Sequence, residues 1–257
     1  MDNLASIRHR YAEEIRAASN IRSGALVDAF AKIPREHFLG SGPWRIVVTE
    51  NGLWQKLARR LHGNYRTTPD ANPKHLYRNV LVAIDASRNL NNGLPSGLAS
   101  WLDALDLQAG ERVLHVGCGV GYYTAVIAEV VGTSGRVVGI DIDSELASRA
   151  RDNLAYLNCV EVLHGDGGEY TDEPFDAIFI NAGVTHPRSI WLDCLKPGGQ
   201  LILPLTIGNG KGGMLKIRRR DGAYEARFLS TVSVFPCIGS RDGVSAKQLC
   251  TPRSTTF

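Results

Sequence analysis

Apolar residues recur along the chain with two different spacings. Between residues 4 and 33 they recur at helical spacing, which predicts two helices, and Pro34 ends the second. From residue 111 onward, short apolar runs alternate with longer amphipathic stretches. The runs predict strands at 112–116, 136–141, 160–164, 175–180 and 200–205, and the stretches predict helices near 121–131, 144–157 and 187–195.

This alternation predicts an α/β fold with a doubly wound, mostly parallel sheet, because continuously apolar strands need cover on both faces. After residue 205 the helical pattern stops, and further strands are predicted around 213–220 and 224–235. Asp221-Gly222 lies between them and is a typical hairpin turn. We therefore expect the parallel sheet to end in an antiparallel hairpin.

Residues 40–78 show no clear period, and turn signals interrupt them at Gly42-Pro43, Asn51-Gly52, Gly63-Asn64 and Pro69-Asp70. Within this segment, Leu53 to Leu61 is interpreted as a short basic helix. Residues 79–84 are predicted to form a strand and residues 91–93 a loop. Pro95 is typical of the first residue of a helix, which we expect to run to about Leu107.

Composition narrows the class of protein. A chain of 257 residues buries enough apolar surface to fold without disulfides or metals. The net charge of +3 is small and spread along the chain, which argues against a nucleic-acid binder. The five cysteines are odd in number and lack metal-ligand spacing, which favours free thiols. With no signal-peptide pattern and no apolar run of ~20 residues, we expect a cytoplasmic protein without a membrane segment or a metal.

The glycine pattern at 117–121 is the strongest chemical signal. Gly117, Gly119 and Gly121 follow a predicted strand and open a helix, the place where α/β sheets bind nucleotides. The third glycine comes one residue earlier than in dinucleotide-binding loops, and Tyr122 and Tyr123 are expected to crowd a pyrophosphate. The loop therefore favours S-adenosylmethionine, which carries a methionine tail and no phosphates.

The ends of the next two strands add acidic residues. Asp141 ends the second strand, where a carboxylate can accept the ribose hydroxyls of either NAD or S-adenosylmethionine. Asp166 and Gly167 follow the third strand, where an adenine amino group needs recognition. The residues expected to contact S-adenosylmethionine are Val116, Gly117, Cys118, Gly119, Gly121, Tyr122, Asp141, Ile142, Asp166, Gly167 and Asn181.

Residues 112–125 resemble the cofactor motif of the protein-L-isoaspartate O-methyltransferase family. Residues 29–38, 162–167 and 195–204 resemble further motifs of that family in the same order, and the resemblance covers about 4–38 and 79–240. It implies a class I methyltransferase (Rossmann-like) fold and methylation of a carboxylate. We accordingly expect an N-terminal helical segment with a substrate-side insertion in 1–94, and the S-adenosylmethionine-binding domain in 95–257.

The chain departs from the family where a Thr-Ile-Ser loop usually precedes the cofactor domain. Asn91-Asn92-Gly93 stands there, so Gly93 occupies the serine position thought to hold the substrate carboxylate. The two asparagine amides can donate to a carboxylate, although Asn-Asn-Gly is also ordinary turn chemistry. The residues expected to bind substrate are Asn91, Asn92, Gly93 and Pro204.

The sequence shows no convincing acid–base group, and a carboxylate acceptor needs none, because with a free pKa of about 4 it is already ionised at neutral pH. A hydroxyl or amine acceptor would profit from a base, for which His186 is the best-placed residue. The catalytic candidates are therefore Asn91, Asn92 and His186.

The expected acceptor is a carboxylate in a peptide, a protein or a small molecule. Two alternatives stay open. One is a methyltransferase for tRNA or for another small molecule. The other is a silent protein that binds S-adenosylmethionine and serves as a partner.

Overall fold

The computed structural model describes residues 3–48, 65–208 and 210–250. The N-terminal half combines two helices with a small sheet, joined by 3-10 turns at Arg35–Phe38 and Pro73–Leu76. Its elements are α1 (Leu4–Ser19), α2 (Gly24–Lys32), β1 (Arg45–Val48), β2 (Arg66–Thr67), β3 (Val80–Asp85) and β4 (Leu90–Asn91). Side chains cap both helices, because Asn3 accepts from Ala5 N–H and Ser23 accepts from Leu26 N–H.

The remainder of the described chain builds the large sheet and its helices. The helices are α3 (Pro95–Leu105), α4 (Tyr122–Val131), α5 (Ser144–Leu154), α6 (Ser189–Asp193) and α7 (Gly243–Cys250). The strands are β5 (Arg112–Val116), β6 (Arg136–Asp141), β7 (Val160–His164), β8 (Phe175–Ile180), β9 (Leu195–Thr206), β10 (Lys211–Arg220) and β11 (Ala223–Ser233).

The large sheet confirms the predicted fold class. Its strand order is β11-β10-β9-β8-β5-β6-β7, in which β9, β8, β5, β6 and β7 run parallel and β10 runs antiparallel to both of its neighbours, β9 and β11. Asp221 and Gly222 join β10 to β11, and their φ angles of 51° and 80° are those of the predicted hairpin turn.

Two predicted elements were wrong in extent. The strand expected at 200–205 begins at Leu195, because Gly198, with φ of 83°, and an irregular register opposite β8 carry the Lys-Pro-Gly-Gly segment into the sheet. The helix expected at 187–195 is shortened to Ser189–Asp193 for the same reason. The helix α7 had no counterpart in the sequence pattern.

The small sheet corrects the interpretation of residues 40–84. The strand predicted at 79–84 does not join the large sheet but pairs with β1 and β4 in the antiparallel order β2-β1-β3-β4. The small sheet has its own apolar core, which includes Trp44, Ile46, Leu76 and Val82. The helix predicted at Leu53 to Leu61 and the turns at 51–52 and 63–64 lie outside the described residues.

Apolar side chains cover both faces of the parallel strands. On one face Val113, Val137 and Phe179 pack under α1 to α5. On the other face Leu114, Ile140 and Trp191 belong to a second cluster under α6. Because the first cluster joins α1 and α2 to the large sheet, the N-terminal helices share its core, and the division expected at residue 94 stays a prediction.

No helix within the described residues is long and apolar enough to cross a membrane.

The guanidinium of Arg35 links the N-terminal helices to the small sheet. Arg35 is fully buried and donates to the carbonyls of Leu76 at 2.7 Å, Arg78 at 3.2 Å and Val80 at 2.8 Å. Its own N–H is bonded to the hydroxyl of Tyr77 at 3.2 Å. Since buried carbonyls need donors, this one side chain fixes the path of the chain into β3.

Replacing Arg35 by alanine should lower the free energy of unfolding by about 3 kcal/mol, because it leaves buried carbonyls without a donor. Urea unfolding followed by circular dichroism measures the loss. Arg136→Ala is the matched control, because Arg136 pairs with Glu161 on the surface and should lose less than about 1 kcal/mol. Equal losses in the two variants would show that the Arg35 contacts do not hold the sheet.

Candidate functional site

The glycine loop lies at the carboxyl end of β5 and turns sharply into α4. Gly117, Gly119 and Gly121 have φ angles of 77°, 58° and 92°, a conformation that other residues adopt only with strain. The N–H groups of Gly117 and Cys118 both donate to the carbonyl of Ile140 in β6, at 2.8 and 3.1 Å. The loop is thereby held against the neighbouring strand.

The three glycines face different surroundings. A Cβ atom on Gly119 would meet no atom within 4 Å, so this part of the loop borders open space. A Cβ atom on Gly121 would lie 2.7 Å from Cδ1 of Leu154 in α5, so Gly121 serves helix packing. Gly117 lies against the backbone of Asn181, whose N–H donates to the carbonyl of Val116 at 2.8 Å.

The carboxylate of Asp141 is hydrogen-bonded to the glycine loop. Its Oδ2 accepts from Gly119 N–H at 2.7 Å and its Oδ1 accepts from Asp143 N–H at 3.0 Å. Asp141 is only 8% exposed, and this burial raises the pKa of its carboxyl group. Each oxygen keeps acceptor capacity for a further donor, which suits a pair of ribose hydroxyls.

The next residues offer an apolar surface and a second carboxylate. Ile142 follows Asp141 and is 39% exposed, although its side chain is apolar. Asp166 follows β7, where its Oδ1 accepts from Gly168 N–H at 2.7 Å. A Cβ atom on Gly165 would meet no atom within 4 Å, whereas Gly167 is packed against Val116. The residues expected to contact the ribose and the adenine of the cofactor therefore lie at the ends of adjacent strands.

Two cofactor candidates are core residues. The Tyr122 side chain is buried against Phe30 and Phe38, and Tyr123 also packs against Phe30, so the argument that they crowd a pyrophosphate was wrong. The first turn of α4 packs under α2, which the glycine pattern alone does not reveal. Cys118 is buried as well, and this burial raises the pKa of its thiol, which makes the thiol a poor nucleophile.

The loop at 91–93 contains one side-chain amide that lacks a hydrogen-bond partner among the described residues. Asn91 closes a turn, because its Oδ1 accepts from Gly93 N–H at 3.0 Å. Asn92 is buried, its N–H donates to the carbonyl of Val82 at 2.8 Å, and its Nδ2 has no hydrogen-bond partner among the described residues. Since buried amides normally have partners, the Asn92 amide is a natural donor for a ligand.

The other two acceptor-side candidates have structural partners. Pro204 is buried inside β9, and its carbonyl accepts from Val184 N–H at 2.9 Å. His186 lies in the loop after β8. Its Nδ1 is 3.1 Å from Oγ1 of Thr185 and 3.0 Å from Oδ2 of Asp242, the residue before α7.

Sequence reasoning missed the segment 235–242, which lies across the ends of β7 and β8. Gly183 N–H donates to the carbonyl of Phe235 at 2.7 Å. The guanidinium of Arg188 donates to the carbonyls of Gly239 and Gly168, at 3.1 and 3.2 Å. A Cβ atom on Gly239 would lie 2.0 Å from Oδ2 of Asp166, so the segment covers this carboxylate closely. No periodicity or motif in the sequence indicates this contact.

Among the described residues, no group of three or more His, Cys, Asp or Glu side chains is placed to hold a metal ion. The surroundings instead fit S-adenosylmethionine, because an open glycine backbone, a buried carboxylate with free acceptor capacity and an exposed apolar side chain meet at one edge of the sheet.

Comparison with known proteins gives a consistent result. The sequence model described as "Protein-L-isoaspartate(D-aspartate) O-methyltransferase (PCMT)" matches residues 66–242. A protein-L-isoaspartate O-methyltransferase of Methanopyrus kandleri is 29% identical over 237 residues, 90% of this chain and 91% of that protein. The protein-L-isoaspartate O-methyltransferase 2 of Archaeoglobus fulgidus is 31% identical over 202 residues, 77% of this chain and 78% of that protein.

Solved structures agree in fold. A protein-L-isoaspartate O-methyltransferase superposes with a TM-score of 0.71 at 23% identity, over 91% of this chain and 66% of that longer chain. A Plasmodium falciparum structure has a TM-score of 0.65 at 16% identity and covers 90% of this chain and 97% of its own length. It is described as a putative protein-L-isoaspartate O-methyltransferase in complex with S-adenosyl-L-homocysteine.

Replacing Asp141 by asparagine should weaken binding of S-adenosylmethionine at least about tenfold, because a charged acceptor is replaced by a neutral amide. The raised pKa also means that the wild-type carboxylate takes up its proton at a higher pH than an ordinary aspartate. Affinity should therefore fall as the pH decreases, and this fall should begin above the ordinary aspartate pKa of about 4. In Asp141→Asn that component of the pH dependence should disappear.

Isothermal titration calorimetry over a pH series measures both effects. Asp172→Asn is the matched control, because Asp172 pairs with Arg112 away from the loop. Unchanged affinity in Asp141→Asn would remove Asp141 from the cofactor site.

Proposed function

The chain belongs to the protein-L-isoaspartate O-methyltransferase family of S-adenosylmethionine-dependent carboxyl methyltransferases, and we propose that its own acceptor is the free α-carboxylate of an isoaspartyl residue in a peptide or protein. The observation that carries this proposal is the buried Asn92 amide, which has no partner among the described residues and adjoins Gly93, where a Cβ atom would lie 3.8 Å from Cε2 of Tyr123 in α4. An amide donor suits a carboxylate acceptor, because the charged oxygen strengthens the hydrogen bond.

We assign the cofactor contacts to residues at the carboxyl ends of β5, β6 and β7. Bound S-adenosylmethionine supplies an electrophilic methyl group on a sulfonium. Asp141 would accept the ribose hydroxyls and Ile142 would pack on the adenine, with Asp166 near its amino group. The open backbone at Gly119 leaves room for the methionine part. Cys118 and Tyr122 contribute through their backbone and packing only, since both side chains are buried.

The chain's own residues need only bind and orient the acceptor. A carboxylate is ionised at neutral pH, so the attacking oxygen carries its charge without help from a base. The rate then depends on aligning the carboxylate oxygen with the methyl group and on excluding water. Intramolecular reactions with well-aligned groups have high effective molarities, which shows that this contribution is large. Asn92 would hold the second carboxylate oxygen and so direct the first toward the methyl group.

A hydroxyl or amine acceptor is a second candidate, favoured by one contact. Asp242 holds Nδ1 of His186 at 3.0 Å, an arrangement that fixes the ring and leaves Nε2 as a base. Such an acceptor must lose a proton during transfer, which a carboxylate need not do.

We further propose that the enzyme acts in the cytoplasm. Four described cysteines, Cys118, Cys159, Cys194 and Cys237, carry free thiols, which supports a reducing compartment.

The acceptor is tested with radiolabelled S-adenosylmethionine and two peptides that differ only in containing an isoaspartyl or a normal aspartyl residue. We expect transfer to the isoaspartyl peptide and release of the label as methanol at alkaline pH, since methyl esters are base-labile. A base-stable product on a hydroxyl or amine acceptor would support the second candidate. Cofactor binding without transfer to any acceptor would favour a silent protein.

Replacing Asn92 by alanine should lower kcat/KM for the isoaspartyl peptide by about 10- to 100-fold, because a hydrogen bond to a charged group is lost. The affinity for S-adenosylmethionine should be unchanged. Asn158→Ala is the matched control, because Asn158 is exposed in the turn before β7 and its removal should leave kcat/KM unchanged. Equal kcat/KM in wild type and Asn92→Ala would refute the assigned donor.

Restoring serine at Gly93 should not improve activity. Gly93 has φ of 71°, and a Cβ atom there would lie 2.8 Å from Cδ2 of Leu98. The left-handed backbone alone should cost about 1–3 kcal/mol of folding stability. Thermal unfolding and the peptide assay on Gly93→Ser measure both effects, and a stable variant with higher activity would contradict this prediction.

A further inference from the structure

Strand β11 forms an outer edge of the large sheet, and its residues 223–228 are exposed on both faces. Every residue from Ala223 to Phe228 is exposed, and Tyr224 and Phe228 are 41% and 65% exposed despite their aromatic rings. Within the described part of the chain, the strand pairs with β10 on one side and with no strand on the other. An edge strand of this kind presents backbone N–H and C=O groups to another strand.

The two faces of this segment carry different side chains. Phe228 lies opposite Leu215 and Ala226 opposite Ile217, so Tyr224, Ala226 and Phe228 share one face. Glu225 and Arg227 share the other face, with opposite charges two residues apart.

Arg227 has no acidic partner of its own. It lies opposite Lys216 in β10, and burial together with the Arg227 charge lowers the pKa of that lysine. No ion pair joins Arg227 to another described residue, whereas Glu225 has a distant contact of 3.7 Å with Arg220. A cation facing a cation on an exposed edge favours an acidic partner from outside.

We propose that β11 pairs with β11 of a second copy of this chain, antiparallel about a two-fold axis through Ala226. In this register Glu225 lies opposite the partner's Arg227, and Tyr224 lies opposite the partner's Phe228. Symmetry repeats each contact, giving two ion pairs on one face and two aromatic pairs on the other. The two large sheets then form one continuous sheet.

The charges select this register among its neighbours. A two-fold axis through Arg227 would place Arg227 opposite the partner's Arg227. An axis through Glu225 would place Glu225 opposite the partner's Glu225. Either register brings like charges together. The regular segment is also centred on Ala226. It is bounded by the turn at Asp221-Gly222 on one side and by the bulge between Phe228 and Ser230 on the other.

The test uses two charge reversals in the full chain. In Glu225→Arg positions 225 and 227 are both positive, and in Arg227→Glu both are negative. Each variant alone would oppose like charges at both contacts, so its dimer dissociation constant should rise at least tenfold. An equimolar mixture would place opposite charges at both contacts and should restore the dimer.

Analytical ultracentrifugation measures the three samples and the wild type, which should sediment as a species of twice 28.0 kDa. Glu173→Arg is the matched control, because Glu173 is exposed in the loop before β8 and should leave the dimer intact. Circular dichroism and the methyl-transfer assay verify that each variant is folded.

A monomeric wild type overturns the proposal, as do single variants that remain dimeric or a mixture that stays monomeric. Because methyl transfer is measured separately, a failed dimer leaves the proposed activity untouched.

Discussion

The hydrogen bond from Gly119 N–H to the carboxylate of Asp141 joins the two strands on which the site is built. To make it, the loop must turn its amide toward β6, and the left-handed conformations at 117, 119 and 121 allow that turn. Burial disfavours the charge on Asp141, and the two backbone donors partly offset this cost. The carboxylate is therefore already oriented and partly desolvated, so little reorganisation remains for the proposed contact with a ribose hydroxyl.

A second constraint fixes the loop at 91–93, which carries the proposed donor to the methyl acceptor. The buried guanidinium of Arg35 holds the carbonyls that lead into β3, and β3 carries β4 and the loop at 91–93. The backbone of Asn92 is bonded to Val82 in the same small sheet. The position of the proposed amide donor thus depends on a chain of contacts that begins in the N-terminal helices.

The sequence predicted the parallel strands β5 to β8 residue for residue, because their apolar runs are local and end at turn signals. It did not predict the small sheet, since β1 and β2 are short and acquire partners only through distant pairing. It also predicted that Tyr122 and Tyr123 crowd a pyrophosphate, whereas both side chains pack under α2, whose position decides the direction of side chains in the first turn of α4. The contact of Gly239 with Asp166 depends on tertiary structure in the same way.

The packing of Gly121 affects how substitutions in this glycine loop should be interpreted. Its missing side chain makes room for Leu154, whereas Gly119 borders open space. A substitution at 121 therefore changes the distance between two helices, and a loss of ligand affinity there reports a damaged scaffold. A substitution at 119 meets no neighbouring atom, so its cost lies in the left-handed backbone of the loop, with φ of 58°. Two glycines of one motif thus have separate structural roles, one in the packing of two helices and one in the conformation of the open loop.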